Sequence, residues 1–137
     1  MPPMVFADTF YWLAMARPRD PWHAAVSLWT GMQPSITIVT TDEVLTEFLN
    51  AFAGAGPTGR AYAAITVHDV RSDARVTVLP QGRADFDAAL ALYEARPDKG
   101  YSLTDCRSMG ALRALAISEV LTHDHHFAQE GFTILFP

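Results

Sequence analysis

The sequence has one cysteine, Cys106, and one lysine, Lys99. A lone cysteine cannot form an intrachain disulfide, so a reducing, cytoplasmic setting is expected. Cys106 falls within a helical pattern, where a buried small hydrophobe is the ordinary reading and a nucleophile the exceptional one. No apolar run approaches the length needed to span a bilayer, so no membrane association is expected. The opening residues, Met1-Pro-Pro-Met-Val-Phe-Ala-Asp8, lack the basic segment and long apolar stretch of a signal peptide. Internal repeats and low-complexity tracts are missing too. Charge is scarce: 18% of residues are charged against 50% hydrophobic, which excludes a disordered chain. The 137 residues suffice for a single domain, 1–137, with a real core. With nine arginines and one lysine against fifteen acids, the formal net charge is -5. That balance argues against non-specific coating of nucleic acid, which depends on unpaired positive charge. It leaves open an enzyme that handles nucleic acid locally. Acids gathered in one cleft lower the net charge, and a bound divalent cation offsets them there.

What is present reads as strands alternating with helices. Met4-Val-Phe-Ala7 is a short buried strand ending at Asp8, followed by an amphipathic stretch from Phe10 to Ala16. Asp20-Pro21 opens a second helix, with Trp22, Ala25, Val26 and Trp29 at helical spacing up to Gly31. Ile36–Val39 is a β-branched strand, and Thr40-Thr-Asp-Glu43 has the Thr-x-x-Glu form of a capping box. The helix it starts carries Val44, Leu45, Phe48, Leu49 and Phe52 and stops at the breaker Ala53-Gly-Ala-Gly-Pro57. A further helix spans about Gly59 to Val70, and Arg75–Leu79 is a strand. The segment from Asp85 to Ala95 is helical with Phe86, Leu90 and Tyr93 as its apolar stripe. After the loop Arg96–Gly100, a second capping box, Ser102–Asp105, begins a helix to about Leu115. Ile117–Leu121 is a strand, a short helical turn starts at Asp124, and Phe132–Phe136 is the last strand. This alternation implies an α/β domain whose largely parallel sheet is covered by helices on both faces. In such sheets ligands bind outside the carboxyl ends of the strands.

Four acids fall at that rim. Asp8 ends the first strand, Asp124 follows the strand Ile117–Leu121, Asp105 lies in the first turn of its helix, and Glu47 lies in the second turn of the helix after Ile36–Val39. Each has an ordinary alternative: a turn residue, a helix cap or a solvated surface side chain. Glu43, one turn before Glu47, competes with it, and periodicity does not choose between them. Taken together, converging carboxylates repel and desolvate one another unless a cation neutralises them. Clustered oxygen donors favour Mg²⁺ or Mn²⁺, ions that serve phosphodiester hydrolysis.

The blocks Val5-Phe-Ala-Asp8-Thr9, Thr41-Asp-Glu-Val-Leu-Thr-Glu47, Tyr101-Ser-Leu-Thr-Asp105-Cys-Arg-Ser108 and Leu121-Thr-His-Asp124-His-His-Phe127 resemble, in order and spacing, the motifs of PIN-domain proteins, above all VapC-like toxins of toxin–antitoxin pairs. The tail Gly131-Phe-Thr-Ile-Leu135 resembles that family's last strand. The resemblance implies a three-layer α/β/α sandwich around a mostly parallel sheet of four to five strands. It implies a Mg²⁺- or Mn²⁺-dependent endoribonuclease that hydrolyses RNA phosphodiesters with metal-activated water. Asp8, Glu47, Asp105 and Asp124 would then be both the catalytic acids and the metal ligands, which selects Glu47 over Glu43. Thr9, Ser102, Thr104, Ser108 and Thr122 lie in or beside the motifs, where hydroxyls can orient carboxylates or water; capping or turn roles compete for each. A small antitoxin partner and a homodimer are also implied. His125-His126 departs from the commoner pattern, which has Arg or Lys after the aspartate. With His123 these suggest zinc, although consecutive histidines rarely converge on one ion, and surface or phosphate-facing imidazoles are the simpler reading. Trp22, Trp29 and Tyr62 could stack bases, but their spacing favours core or dimer packing. A catalytically weak PIN-fold binding module in a regulatory complex is the alternative. A small-molecule phosphatase would want an Asp-x-Asp setting, which Asp8-Thr-Phe10 lacks.

Overall fold

A computed structural model describes residues 3–137. The elements run β1 (Met4–Ala7), α1 (Thr9–Ala16), α2 (His23–Gly31), β2 (Thr37–Thr41), α3 (Asp42–Ala51), α4 (Gly56–Ser72), β3 (Val76–Leu79), α5 (Arg83–Ala95), α6 (Leu103–Ala114), β4 (Glu119–Leu121), α7 (His126–Gln129) and β5 (Thr133–Ile134). The five strands form one sheet in the order β3-β2-β1-β4-β5, with every pairing parallel. The chain thus steps outward from β1 to β3, then returns past β1 to β4 and β5. Right-handed crossovers put the outward helices and the returning ones on opposite faces, giving a PIN-like α/β/α sandwich. The direction reverses between β1 and β4, where Phe6 pairs with Val120 and Ala7 with Leu121. Such a switch point opens a crevice at the carboxyl ends of the two strands.

The core explains why the sequence reads as near-continuous apolar runs in its strands. Val5, Phe6, Val39, Val120 and Leu121 are buried in the sheet, and Tyr11, Val26, Phe48, Met109, Leu112 and Phe127 cover it from the helices. Several expectations shift. The second helix begins at His23, because the Asp20 carboxylate accepts the Trp22 amide at 2.8 Å and stabilises a turn before the helix starts. Thr41, not Thr40, caps α3: its hydroxyl accepts the Val44 amide, whereas the Thr40 hydroxyl donates to the Ala7 carbonyl between strands. Glu43 therefore does not close a capping box. The breaker Ala53–Pro57 does end α3, but α4 starts within it, at Gly56 and not Gly59, since proline suits a first turn. On α5 the buried face is rotated from the expected apolar stripe: Phe86, Leu90 and Tyr93 are exposed, while Ala89 at the edge of that stripe is buried and Leu92 packs on the core. Trp22 and Trp29 are half-buried and pack edge-on against Phe136, and the Tyr62 hydroxyl donates to the Ala16 carbonyl.

Candidate metal centre

Asp8 is the innermost acid. Its backbone extends the β1–β4 pairing by donating to the Leu121 carbonyl at 3.4 Å, and its residue is 7% exposed. That fixes the carboxyl over the switch point. The hydroxyl of Thr122, itself fully buried, donates to Asp8 Oδ2 at 3.0 Å and accepts the Asp124 amide at 3.0 Å. One threonine thus ties the acids that follow two neighbouring strands. Thr9, the first residue of α1, donates to Glu47 Oε1 and brings in the acid of α3.

Asp105 arrives through its capping box: its amide donates to Ser102 Oγ at 3.0 Å, and the Ser102 amide donates to Asp105 Oδ2 at 3.1 Å. The preceding loop can turn into this cap because Gly100 has φ 71, a left-handed conformation that glycine adopts without strain. Capping and site membership are therefore compatible. The same local bonds that start α6 hold the Asp105 carboxylate beside the other acids.

Burial pushes the Asp8 carboxyl up from 3.8 to about 7; the Thr9 amide and Thr122 hydroxyl oppose the rise, and the charges of Asp105 and Glu47 add to it. Burial also raises Asp105, opposed by its bonds to Ser102 and assisted by the charges of Asp124 and Glu47. Each of the four acids therefore feels at least one other. Like charges held near one another and partly buried are costly, a cost that a cation would relieve.

His126 joins this group. Ligand atoms of Asp105, Asp124 and His126 lie within 4.8 Å of one another. His126 Nδ1 is 3.2 Å from Asp124 Oδ1 and 3.8 Å from Asp105 Oδ2, and it is buried with no hydrogen-bond partner. The Asp124 carboxylate accepts the His126 amide at 2.9 Å, and the imidazole packs edge-on against Tyr101. Carboxylate oxygens and one imidazole nitrogen suit a divalent cation of hard to borderline character. His123 is used otherwise, its Nδ1 against the Phe136 carbonyl and its ring on Trp22, and His125 packs on His123.

Among the expected supporting hydroxyls, Thr9, Ser102 and Thr122 touch the acids. Thr104 instead lines a separate groove with Glu43 and Phe86, and Ser108 Oγ is buried without a partner. An apolar hollow of about 400 Å³ lies between α5 and α6, walled by Ala88, Ala89, Ala111 and Leu115. It holds none of the four acids. It lies in the packing of the two helices, apart from the acids at the switch point.

The arrangement defines a class by its fold: a PIN-like α/β/α domain with acids at the carboxyl edge of a parallel sheet. Among solved structures, the chain is similar to VapC20 of Mycobacterium tuberculosis, described as a sarcin–ricin loop cleaving toxin. The TM-score is 0.83, with 21% sequence identity over 94% of this chain and 96% of that one. No protein-family model matches the chain, and no curated protein matches it in sequence. Among the described residues, no helix is long and apolar enough to cross a membrane.

Proposed function

We propose that this protein is a divalent-metal-dependent endoribonuclease, a toxin of the VapC kind, acting on RNA phosphodiester bonds in a cytoplasmic setting. The observation that carries this reading is geometric: Thr122 joins Asp8 to Asp124, Thr9 holds Glu47, and ligand atoms of Asp105, Asp124 and His126 lie within 4.8 Å of one another. Asp8, Asp105 and Asp124 would hold Mg²⁺ or Mn²⁺, with His126 as a further donor. When bound, the cation supplies Lewis-acid activation of water and charge neutralisation at the phosphoryl group. Glu47, oriented by Thr9, is placed to accept a proton or position water; Thr122 keeps Asp8 and Asp124 in register; Ser102 keeps Asp105 in place. A small antitoxin partner and a second copy of the chain belong to the same reading.

The test is cleavage of a fluorescent RNA with Mn²⁺ or Mg²⁺ by the wild type and by Asp8→Asn. The expected outcome is metal-dependent cleavage that the substitution lowers by at least about 100-fold, the scale of losing an acid that contacts the reacting centre. A wild type that binds Mn²⁺ but never cleaves RNA would favour the binding-module alternative. Equal rates for both proteins would remove Asp8 from the chemistry.

A further inference from the structure

Arg107 is an unusual tenant of α6. Its residue is only 7% exposed, although arginine is rarely buried without partners. Its Nε donates to Glu43 Oε2 at 3.0 Å, its Nη2 donates to the Pro80 carbonyl at 3.3 Å, and Nη2 lies 3.7 Å from Asp85 Oδ2. The guanidinium thus spans the first turn of α3, the exit of β3 and the first turn of α5.

Its position along the chain gives this contact its meaning. Arg107 stands two residues after Asp105, about 200° around the helix, so it points away from the acids while its backbone stays beside them. Glu43 stands one turn before Glu47 on α3. The Arg107–Glu43 pair therefore joins the two helices that carry Asp105 and Glu47 within a turn of both.

Stability does not account for the pair. A buried ion pair offsets its own desolvation only in part, and apolar replacements of similar volume are often as stable. Here one oxygen, Glu43 Oε1, is buried without any partner, a further cost. What the pair supplies is fixed spacing, since a planar guanidinium holds two acceptors at set angles. We propose that Arg107 is a positioning residue: through Glu43 and the Pro80 carbonyl it sets the separation of α3 and α6, and with it the reach of Glu47 toward Asp105. This rests on the reading that Glu47 and Asp105 serve one metal-dependent site.

The test uses the double variant Glu43→Met, Arg107→Met, which removes both charges together and so avoids an orphaned buried ion. Three readouts are taken: Tm, Mn²⁺ affinity by calorimetry, and the α3–α6 distance in metal-free protein. The distance comes from spin labels at Asn50→Cys and Gly110→Cys, both exposed, the latter with open space for a side chain. The expected result is a near-wild-type Tm, a shifted or broadened distance distribution, and Mn²⁺ affinity about tenfold weaker, as when the support of a metal ligand is lost. Unchanged distances with unchanged affinity would overturn the proposal. If the wild type itself binds no Mn²⁺, the nuclease reading fails, while the distance measurement still decides whether Arg107 sets the helix spacing. Should the double variant not fold, Arg107→Lys serves: it keeps the charge without the fork. The same weakening is expected, and wild-type affinity and spacing would refute the role.

Discussion

Asp8→Asn should make the metal-free protein more stable at alkaline pH and leave it nearly unchanged in acid. In the folded state the Asp8 carboxyl is pushed from 3.8 to about 7, chiefly by burial, so folding favours its protonated form. Below 3.8 both folded and unfolded chains carry the proton, and no cost arises. Between 3.8 and about 7 the unfolded chain ionises first, and stability falls as pH rises. Above about 7 the full cost remains: at 1.36 kcal/mol per pH unit it is at most about 4 kcal/mol. Asparagine keeps an oxygen to accept the Thr122 hydroxyl, but its amide needs a partner of its own, which takes back about 1–2 kcal/mol. The net gain at pH 8.5 is then about 2 kcal/mol, roughly 6–10 °C in Tm for a domain of this size. At pH 4.5 most of it disappears. Urea or thermal unfolding in EDTA across that range reads the difference directly. With Mn²⁺ the order should reverse, because a ligand at about 100 times its Kd adds about 2.7 kcal/mol to whichever protein binds it. A stability difference between variant and wild type that is the same at both pH values, or a variant less stable than the wild type at pH 8.5, would refute the claim that Asp8 is held ionised at a cost.

Thr122→Val removes a hydroxyl that serves both Asp8 and Asp124, so Mn²⁺ affinity should fall about 10-fold and calorimetry should detect it. Glu130→Gln breaks the bonds from Arg96, Arg113 and Tyr101 that anchor the segment after α7, and should cost about 1–3 kcal/mol by urea titration. The Glu130 carboxyl sits at about 2, held down by those three hydrogen bonds against the opposing effect of burial. Its contribution is therefore present above the ordinary 4.5 and is lost as pH falls toward about 2. His126→Gln should weaken Mn²⁺ and Zn²⁺ several-fold while leaving Mg²⁺ within about twofold, since imidazole matters little to a hard ion; equal losses for all three would remove His126 from the donor set.

Much of the fold was legible because parallel strands buried on both faces announce themselves. Met4–Ala7 was read residue for residue, and Ser102-Leu-Thr-Asp105 was recognisable because both halves of a capping box lie within four positions. Boundaries decided by tertiary contact were not. Thr40 and Thr41 are equally good caps in isolation, and only the bond of the Thr40 hydroxyl to the Ala7 carbonyl leaves the cap to Thr41. The stripe of α5 misled because the buried face runs through Ala89 and Leu92, to one side of Phe86, Leu90 and Tyr93, and periodicity alone does not fix a helix's rotation to within half a turn's width. At the site, local chemistry placed the four acids at one rim. The share of Glu43 in an Arg107 pair depends on a residue 64 positions away, so only the family resemblance could prefer Glu47. His126 was missed as a neighbour of the acids for a different reason. Three histidines around one aspartate look alike in sequence, and the turn after β4 sends His126 toward Asp124 and His123 toward Trp22.

The devices that hold the acids share one feature: their donors are neutral, the hydroxyls of Thr122 and Thr9 reaching across the fold and the Ser102 amide acting within its own cap. A positive side chain at those positions would have quenched the repulsion and stabilised the empty pocket. Instead, among the hydrogen bonds and ion pairs of the described residues, no arginine or lysine reaches Asp8, Glu47, Asp105 or Asp124. The nearby guanidinium of Arg107 is turned to Glu43, on the far side of the helix from the acids. Neutral donors fix where carboxylates sit without cancelling their charge. On the proposed reading, acids held this way stay electrostatically unsatisfied until a cation enters, and the choice of threonine and serine over arginine and lysine around them is what would make the site receptive.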